Sequence, residues 1–209
     1  QAGTYMEPTT PPSGPYPYYR HSLLRLADHH RPGADRAAAV YLDQALTYAG
    51  PATATLAGLD HLEGSSVLIL ADGATHPART VSGGAITLDR PVTRAVVGLG
   101  YMSRWLSMRI ETGRKTGTSQ AAHMRLVAAS IRLLETAGVR IGAGLGRLIS
   151  LDRRSPGDAP GQPPPLFTGD RRIRWPSGWA REQRIRIEAD GPLPATVAAV
   201  WPTVKVADD

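Results

Sequence analysis

A mainly β protein is predicted: one or two small antiparallel sandwich-like or barrel-like modules, preceded by an extended Pro/Tyr-rich arm. Three observations predict it. First, 22 glycines and 18 prolines punctuate the 209 residues at short intervals, which favours many short strands over long helices. Second, residues 58–73 read as a glycine-closed turn, an apolar run Val67-Leu68-Ile69-Leu70, and a second turn at Asp72-Gly73. Such a run bounded by turn formers suits a strand covered on both faces, and Asp-Gly supplies the positive dihedrals of a two-residue hairpin. Third, the last third of the chain alternates apolar and charged residues with period two.

The chain divides by composition into an arm (1–36), a small β module (37–102) and a second β-rich module with long loops (103–209). In the arm, Pro8, Pro11, Pro12, Pro15 and Pro17 stand among Tyr5, Tyr16, Tyr18 and Tyr19. Proline fixes φ and removes donors, so the arm forms neither helix nor central strand. The arm is expected to be either a flexible, disordered terminus or an extended segment laid across a neighbour, which its tyrosines suit. His29 and His30 are adjacent and point apart in any regular element, with no third ligand at metal spacing.

Residues 37–49 have helical composition but alternate as a strand, and Gly50-Pro51 is expected to end the element. After Val67–Leu70, the chain should return through Thr80-Val81, turn at Ser82-Gly83-Gly84 and leave along Ala85–Leu88. Asp89-Arg90-Pro91 is expected to break the ladder, with a buried strand resuming at Ala95–Tyr101 and continuing through Trp105, Leu106, Met108 and Ile110. Residues 121–136 pose a conflict, because alanines favour a helix while Val127, Ala129, Ile131 and Leu133 alternate with Ala128, Ser130, Arg132 and Leu134. Val139 and Ile141 fit a following strand, and residues 155–165 form a proline-rich loop. Further on, Arg171, Ile173 and Trp175 alternate with Arg172 and Arg174, then Ile185, Ile187 and Ala189 with Arg184, Arg186 and Glu188. These two segments are read as a hairpin with an arginine face, partly neutralised by Asp170 and Glu188, and residues 195–202 as a closing buried strand.

Several chemistries are excluded or disfavoured by residue type. Without cysteine there is no disulfide, thiolate metal site or cysteine nucleophile. No run of about 18 apolar residues suggests a membrane span. A start at Gln1 is expected of a processed product or a fragment. Asp60, His61 and Glu63 are read as turn residues, since no serine nucleophile stands at a diagnostic spacing. The run Gly113-Arg114-Lys115-Thr116-Gly117-Thr118-Ser119 lacks the spacing of a phosphate-binding loop. Asp60, Glu63, Glu111 and Asp152 are the only carboxylates considered for hydrolysis of a cell-wall polymer, and nothing in the sequence pairs them. No catalytic, cofactor-binding or metal-binding residue is assigned, and no enzymatic activity is expected. The net charge of +6 raises the chance of an acidic partner.

Five segments together carry a family resemblance: residues 41–48 (YLDQALTY), 58–73, 81–91 (VSGGAITLDRP), 163–170 (PPPLFTGD) and 190–194 (DGPLP). In order and wording around the turns the chain resembles the C-terminal part of tail nozzle proteins (tail tubular protein B) of short-tailed bacteriophages, over about residues 40–102 and 124–206. The resemblance implies a β-rich virion subunit, joined with copies of itself in a ring, a hexamer in that family, and with other tail or adaptor proteins. DNA would pass transiently through its lumen. It also implies that residues 127–134 form a strand. A lumen should not hold DNA tightly, so the arginine-rich segments are expected at subunit contacts or in solvent. The alternative is a carbohydrate-binding or adhesion module, in which Trp105, Trp175, Trp179 and Trp201 would offer stacking platforms.

Overall fold

The computed structural model describes residues 33–114, 117–119, 122–144, 146–151, 163, 165–175 and 177–207. Residues 1–32 of the arm, with its tyrosines and His29-His30, lie outside the described residues, as do Asp152 and most of the 155–165 loop. The described chain is mainly β, with two short 3₁₀ turns at Arg36–Ala38 and Asp60–Leu62. Its strands are β1 (Asp43–Ala57), β2 (Ser66–Ala71), β3 (Ala74–Thr80), β4 (Ala85–Leu99), β5 (Ser103–Leu106), β6 (Gly113–Arg114), β7 (Gly117–Thr118), β8 (Met124–Thr136), β9 (Val139–Ala143), β10 (Leu148–Ser150), β11 (Phe167–Arg174), β12 (Ile185–Ala189) and β13 (Val197–Val206).

The first sheet has the order β1-β4-β2-β3, all antiparallel. Asp72 and Gly73 join β2 to β3 with φ of 48° and 78°, as the dipeptide predicts. The apolar run is covered on both faces. Val67 and Ile69 enter a core with Leu56, Leu59, Leu62 and Val97, while Leu70 packs on the other side with Leu42 and Val96, against which Leu193 also rests.

Two expected breaks are bridged instead. Gly50-Pro51 lies inside β1, and the register with β4 skips between Ala49↔Arg94 and Thr53↔Val92. Because β1 is an edge strand, the N–H that proline lacks need not serve a ladder. Asp89-Arg90-Pro91 likewise lies inside β4, where pairing jumps from Thr53↔Val92 to Thr55↔Thr87. The extra β4 residues bulge out, and the strand continues through them.

Beyond residue 102, two sheets pack as a sandwich: β10-β9-β12-β5 and β11-β8-β13. Their inner faces share one core, with Leu126, Ala129, Ile131, Leu133 and Ile173 from one sheet and Val139, Ile141, Ile185 and Ile187 from the other. The 121–136 conflict resolves as strand β8 over its described length. It is central in its sheet, so ladders on both sides satisfy its backbone, and tertiary context overrides the alanine preference. The expected alternation holds for Ala129, Ile131 and Leu133, which are buried. It slips at Val127, where the pairing with β13 shifts between Thr203↔Ala128 and Val204↔Leu126.

Three expectations about neighbours are corrected. The segment after Tyr101 is no buried continuation: β5 is a short edge strand whose four residues are all exposed. Of residues 195–202, expected as a buried strand, those from Val197 on belong to the edge strand β13, with Trp201 and Pro202 exposed; Pro202 is tolerated at that edge. The arginine hairpin does not form. β11 pairs with β8 and β12 with β5 and β9, so the two arginine-bearing strands lie in opposite sheets. Alternation fixes which side chains share a face, but not which strand a segment pairs with.

Candidate functional site

The Asp60-His61-Glu63 turn is a folding element. Leu62 is buried beneath it, and the Glu63 carboxylate accepts hydrogen bonds from the N–H groups of Gly83 and Gly84 at 3.0 and 2.8 Å. The 58–64 turn is thereby tied to the next turn, at Ser82–Ala85. Glycine is favoured at 84 by its φ of 66°; a Cβ there would lie 2.3 Å from Oδ1 of the exposed Asp60 and displace that carboxylate. His61 is exposed, with Nε2 3.1 Å from the carbonyl of Gln44. Glu111 stands apart from these residues, beside the small β6–β7 hairpin, where it bonds the Thr118 hydroxyl. Among the described residues no group of three or more acidic or histidine side chains could hold a metal ion. No helix among the described residues is long and apolar enough to cross a membrane.

A cleft of about 420 Å³ opens between Tyr41 and Tyr101, which flank the strands of the first sheet, and the β5 and β12 side of the sandwich. Tyr41 and Tyr101 flank it from the first module. Trp105 of β5, Ile187 of β12, Leu193 and Val197 of β13 complete its apolar wall. Burial, and then the neighbouring Tyr101, raise the Tyr41 phenol above the usual tyrosine range. An aromatic wall with phenols and Arg104 at its rim suits an apolar or sugar-like surface better than bond-breaking chemistry.

On the outer face of the same sheet, Glu188 is buried among three arginines. Arg104 Nε donates to Oε1 at 2.7 Å, with Arg186 Nε at 3.5 Å and Arg140 Nη2 at 3.7 Å. Register explains the cluster, since Arg104 on β5 and Arg140 on β9 lie directly opposite Glu188 on β12. Arg140 also pairs with Asp190. This is a clamp across three strands.

The tryptophans have separate fates. Trp175 is a core residue, Trp105 lines the cleft, and Trp179 and Trp201 are exposed. No shared aromatic platform unites all four. Sequence reasoning missed Tyr41 and Tyr101 as cleft residues. The signal was faint: two tyrosines flank the strands of one module, and only the fold brings them to Trp105.

Comparison of the chain with protein-family models finds no match, and comparison with curated proteins finds none either.

Proposed function

We propose that the chain is a structural subunit of a bacteriophage tail, nozzle-like, that assembles with copies of itself into a ring or conduit for DNA ejection and acts in the virion. The observation that carries this reading is the apolar edge at β5. Five of the seven large apolar side chains exposed among the described residues fall within 101–108: Tyr101, Met102, Trp105, Leu106 and Met108. Sheet edges of self-contained proteins are blunted with charge, proline or cover, and here Arg104 is the one charge in the β5 strand. An unblunted apolar edge suits strand addition from a neighbouring subunit. The resemblance of the turn segments to nozzle proteins supplies the particular assembly.

Mass measurement and negative-stain imaging of the purified chain test the reading. Rings with a central channel are expected, and Trp105→Lys with Leu106→Lys should return them to monomers of unchanged fold. A wild-type chain that stays monomeric at every concentration, alone and with tail adaptor proteins, refutes it. The Tyr41–Tyr101–Trp105 cleft favours a second reading, carbohydrate binding. Glycan-array binding by a monomer, lost on Trp105→Ala, would put that reading first.

A further inference from the structure

The outer face of the β11-β8-β13 sheet is basic. Register sets its side chains in rows across the three strands. One row is Arg174, Ala128, Thr203; the next is Arg172, Ser130, Trp201; the third is Asp170, Arg132, Ala199. At the far end Arg125 faces Lys205. Among the described residues, five cations, all exposed, share these rows with one carboxylate, that of Asp170. The carboxylate is fully engaged by Arg132, which donates to it through Nε at 2.7 Å and Nη2 at 2.8 Å. That fork holds the Arg132 guanidinium over the Trp201 ring, 5.1 Å from its centroid. Arg125, Arg172, Arg174 and Lys205 have no carboxylate partner among the described residues.

The geometry points to a nucleic-acid contact face: we propose that this sheet binds a single strand, its phosphates on Arg125, Arg172, Arg174 and Lys205 and an unpaired base on Trp201. Successive outward residues of a strand lie about 6.7 Å apart and adjacent strands about 4.8 Å. Arg172 and Arg174 on one edge strand therefore stand about 10 Å from Trp201 and Thr203 on the other, with the buried Ala128 and the half-buried Ser130 between them. A basic face with an exposed, pre-set aromatic ring is the pattern that holds single strands without reading sequence. A duplex keeps its bases stacked inside and would use the cations alone. The same cations could meet an anionic polysaccharide, but the ring fixed among them favours a base. The inference goes beyond assembly and needs no ring of subunits.

The test is fluorescence anisotropy of the full chain with labelled oligo-dT of about 15 nucleotides, a matched duplex, and heparin as a base-free polyanion. Micromolar binding of oligo-dT is expected at low salt. With four phosphate contacts at about −0.7 each, the log–log salt slope should be about −2.8, a fall of about 50-fold between 50 and 200 mM salt. Replacing Arg172 and Arg174 together with alanine should reduce the slope by about 1.4. Trp201→Ala should weaken oligo-dT by about 5- to 150-fold and leave heparin unchanged. Trp201→Leu, which keeps an apolar side chain at this edge, should give the same loss, and the melting temperature of each variant separates a binding defect from a folding one. Absence of oligo-dT binding at 50 mM salt overturns the proposal. So does binding of duplex or heparin as tight as oligo-dT with Trp201→Ala indifferent, the heparin outcome assigning the face to anionic glycans. Oligomeric state measured on the same samples keeps this result distinct from that of the assembly reading.

Discussion

Asp72 holds the β2–β3 turn to the middle of β4, and its removal is the sharpest test of how this fold is held together. Its Oδ1 accepts from the Thr93 N–H at 3.1 Å, the Thr93 hydroxyl at 3.0 Å and the Arg94 N–H at 2.9 Å. Arg90 approaches Oδ2 at 3.4 Å. Partial burial alone would raise the pKa of the carboxyl. The hydrogen bonds from Arg94 and Thr93, with the charge of Arg90, outweigh that and hold it below the usual aspartate range. A hydrogen bond to a charged group contributes about 1.5–3 kcal/mol, and these three share one oxygen of a partly exposed side chain, so their joint contribution is about 2 kcal/mol. The φ of 48° adds about 1 kcal/mol against alanine. Asp72→Ala should therefore cost about 3 kcal/mol, or about 6–12 °C in melting temperature for a chain of this size. Asp72→Asn tolerates the backbone and keeps an acceptor, so about 1 kcal/mol is expected. Because the pKa is lower folded than unfolded, the stabilisation is complete above the unfolded value near 3.9 and is lost as pH falls through the folded value. Thermal melts from pH 7 down to about pH 2.5 should show the wild type and Asp72→Asn converging below about pH 4. A constant gap between them across that range, or no loss in Asp72→Ala at pH 7, would refute the reasoning.

Other perturbations separate structural roles in the same assay. Glu188→Ala should cost about 3 kcal/mol, because it leaves Arg104, Arg140 and Arg186 around a vacated carboxylate; urea melts measure it, and a neutral result would mean the clamp is fully solvated. Gly73→Val should cost about 2–3 kcal/mol, since φ is 78° and a Cβ would meet Arg36 Nε at 3.1 Å, whereas His61→Ala should stay within about 0.5 kcal/mol. Reversal of that order would mean that residues 58–64 have a role beyond folding. Ile131→Ala, at a fully buried site in the central strand β8, should cost about 3–4 kcal/mol by calorimetry.

The β class and the hairpins were legible because their causes are local. Asp72-Gly73 and Ser82-Gly83-Gly84 need positive dihedrals that few residues supply, and the observed φ values there are positive at Asp72, Gly73, Gly83 and Gly84. The strand nature of residues 127–134 was legible in period two, although composition argued against it. What could not be read was pairing. Gly50-Pro51 and Asp89-Arg90-Pro91 look like terminators, but at an edge strand and a bulge their missing donors are harmless. The destination of Arg172 and Arg186 was equally hidden. Both alternate cleanly, and only the long-range pairing of β11 with β8 and of β12 with β9 puts them on opposite outer faces. The cleft was hidden for the same reason, since Tyr41 and Trp105 are distant in sequence and close only through packing.

Pairing also decides whether the two proposed surfaces can coexist. β5 ends the β10-β9-β12-β5 sheet, whereas the basic face belongs to the β11-β8-β13 sheet on the other side of the sandwich core. A strand added at β5 extends the former sheet in its own plane and leaves the outer face of the latter uncovered. Addition at β13 would instead set a new strand beside Trp201 and Lys205 and cover part of the basic face. Assembly through β5 therefore predicts that the salt slope for oligo-dT, counted per subunit, is the same for ring and monomer. A slope that falls on assembly by about 0.7, the share of one phosphate contact, would place the subunit contact at β13 and refute β5 as the joining edge.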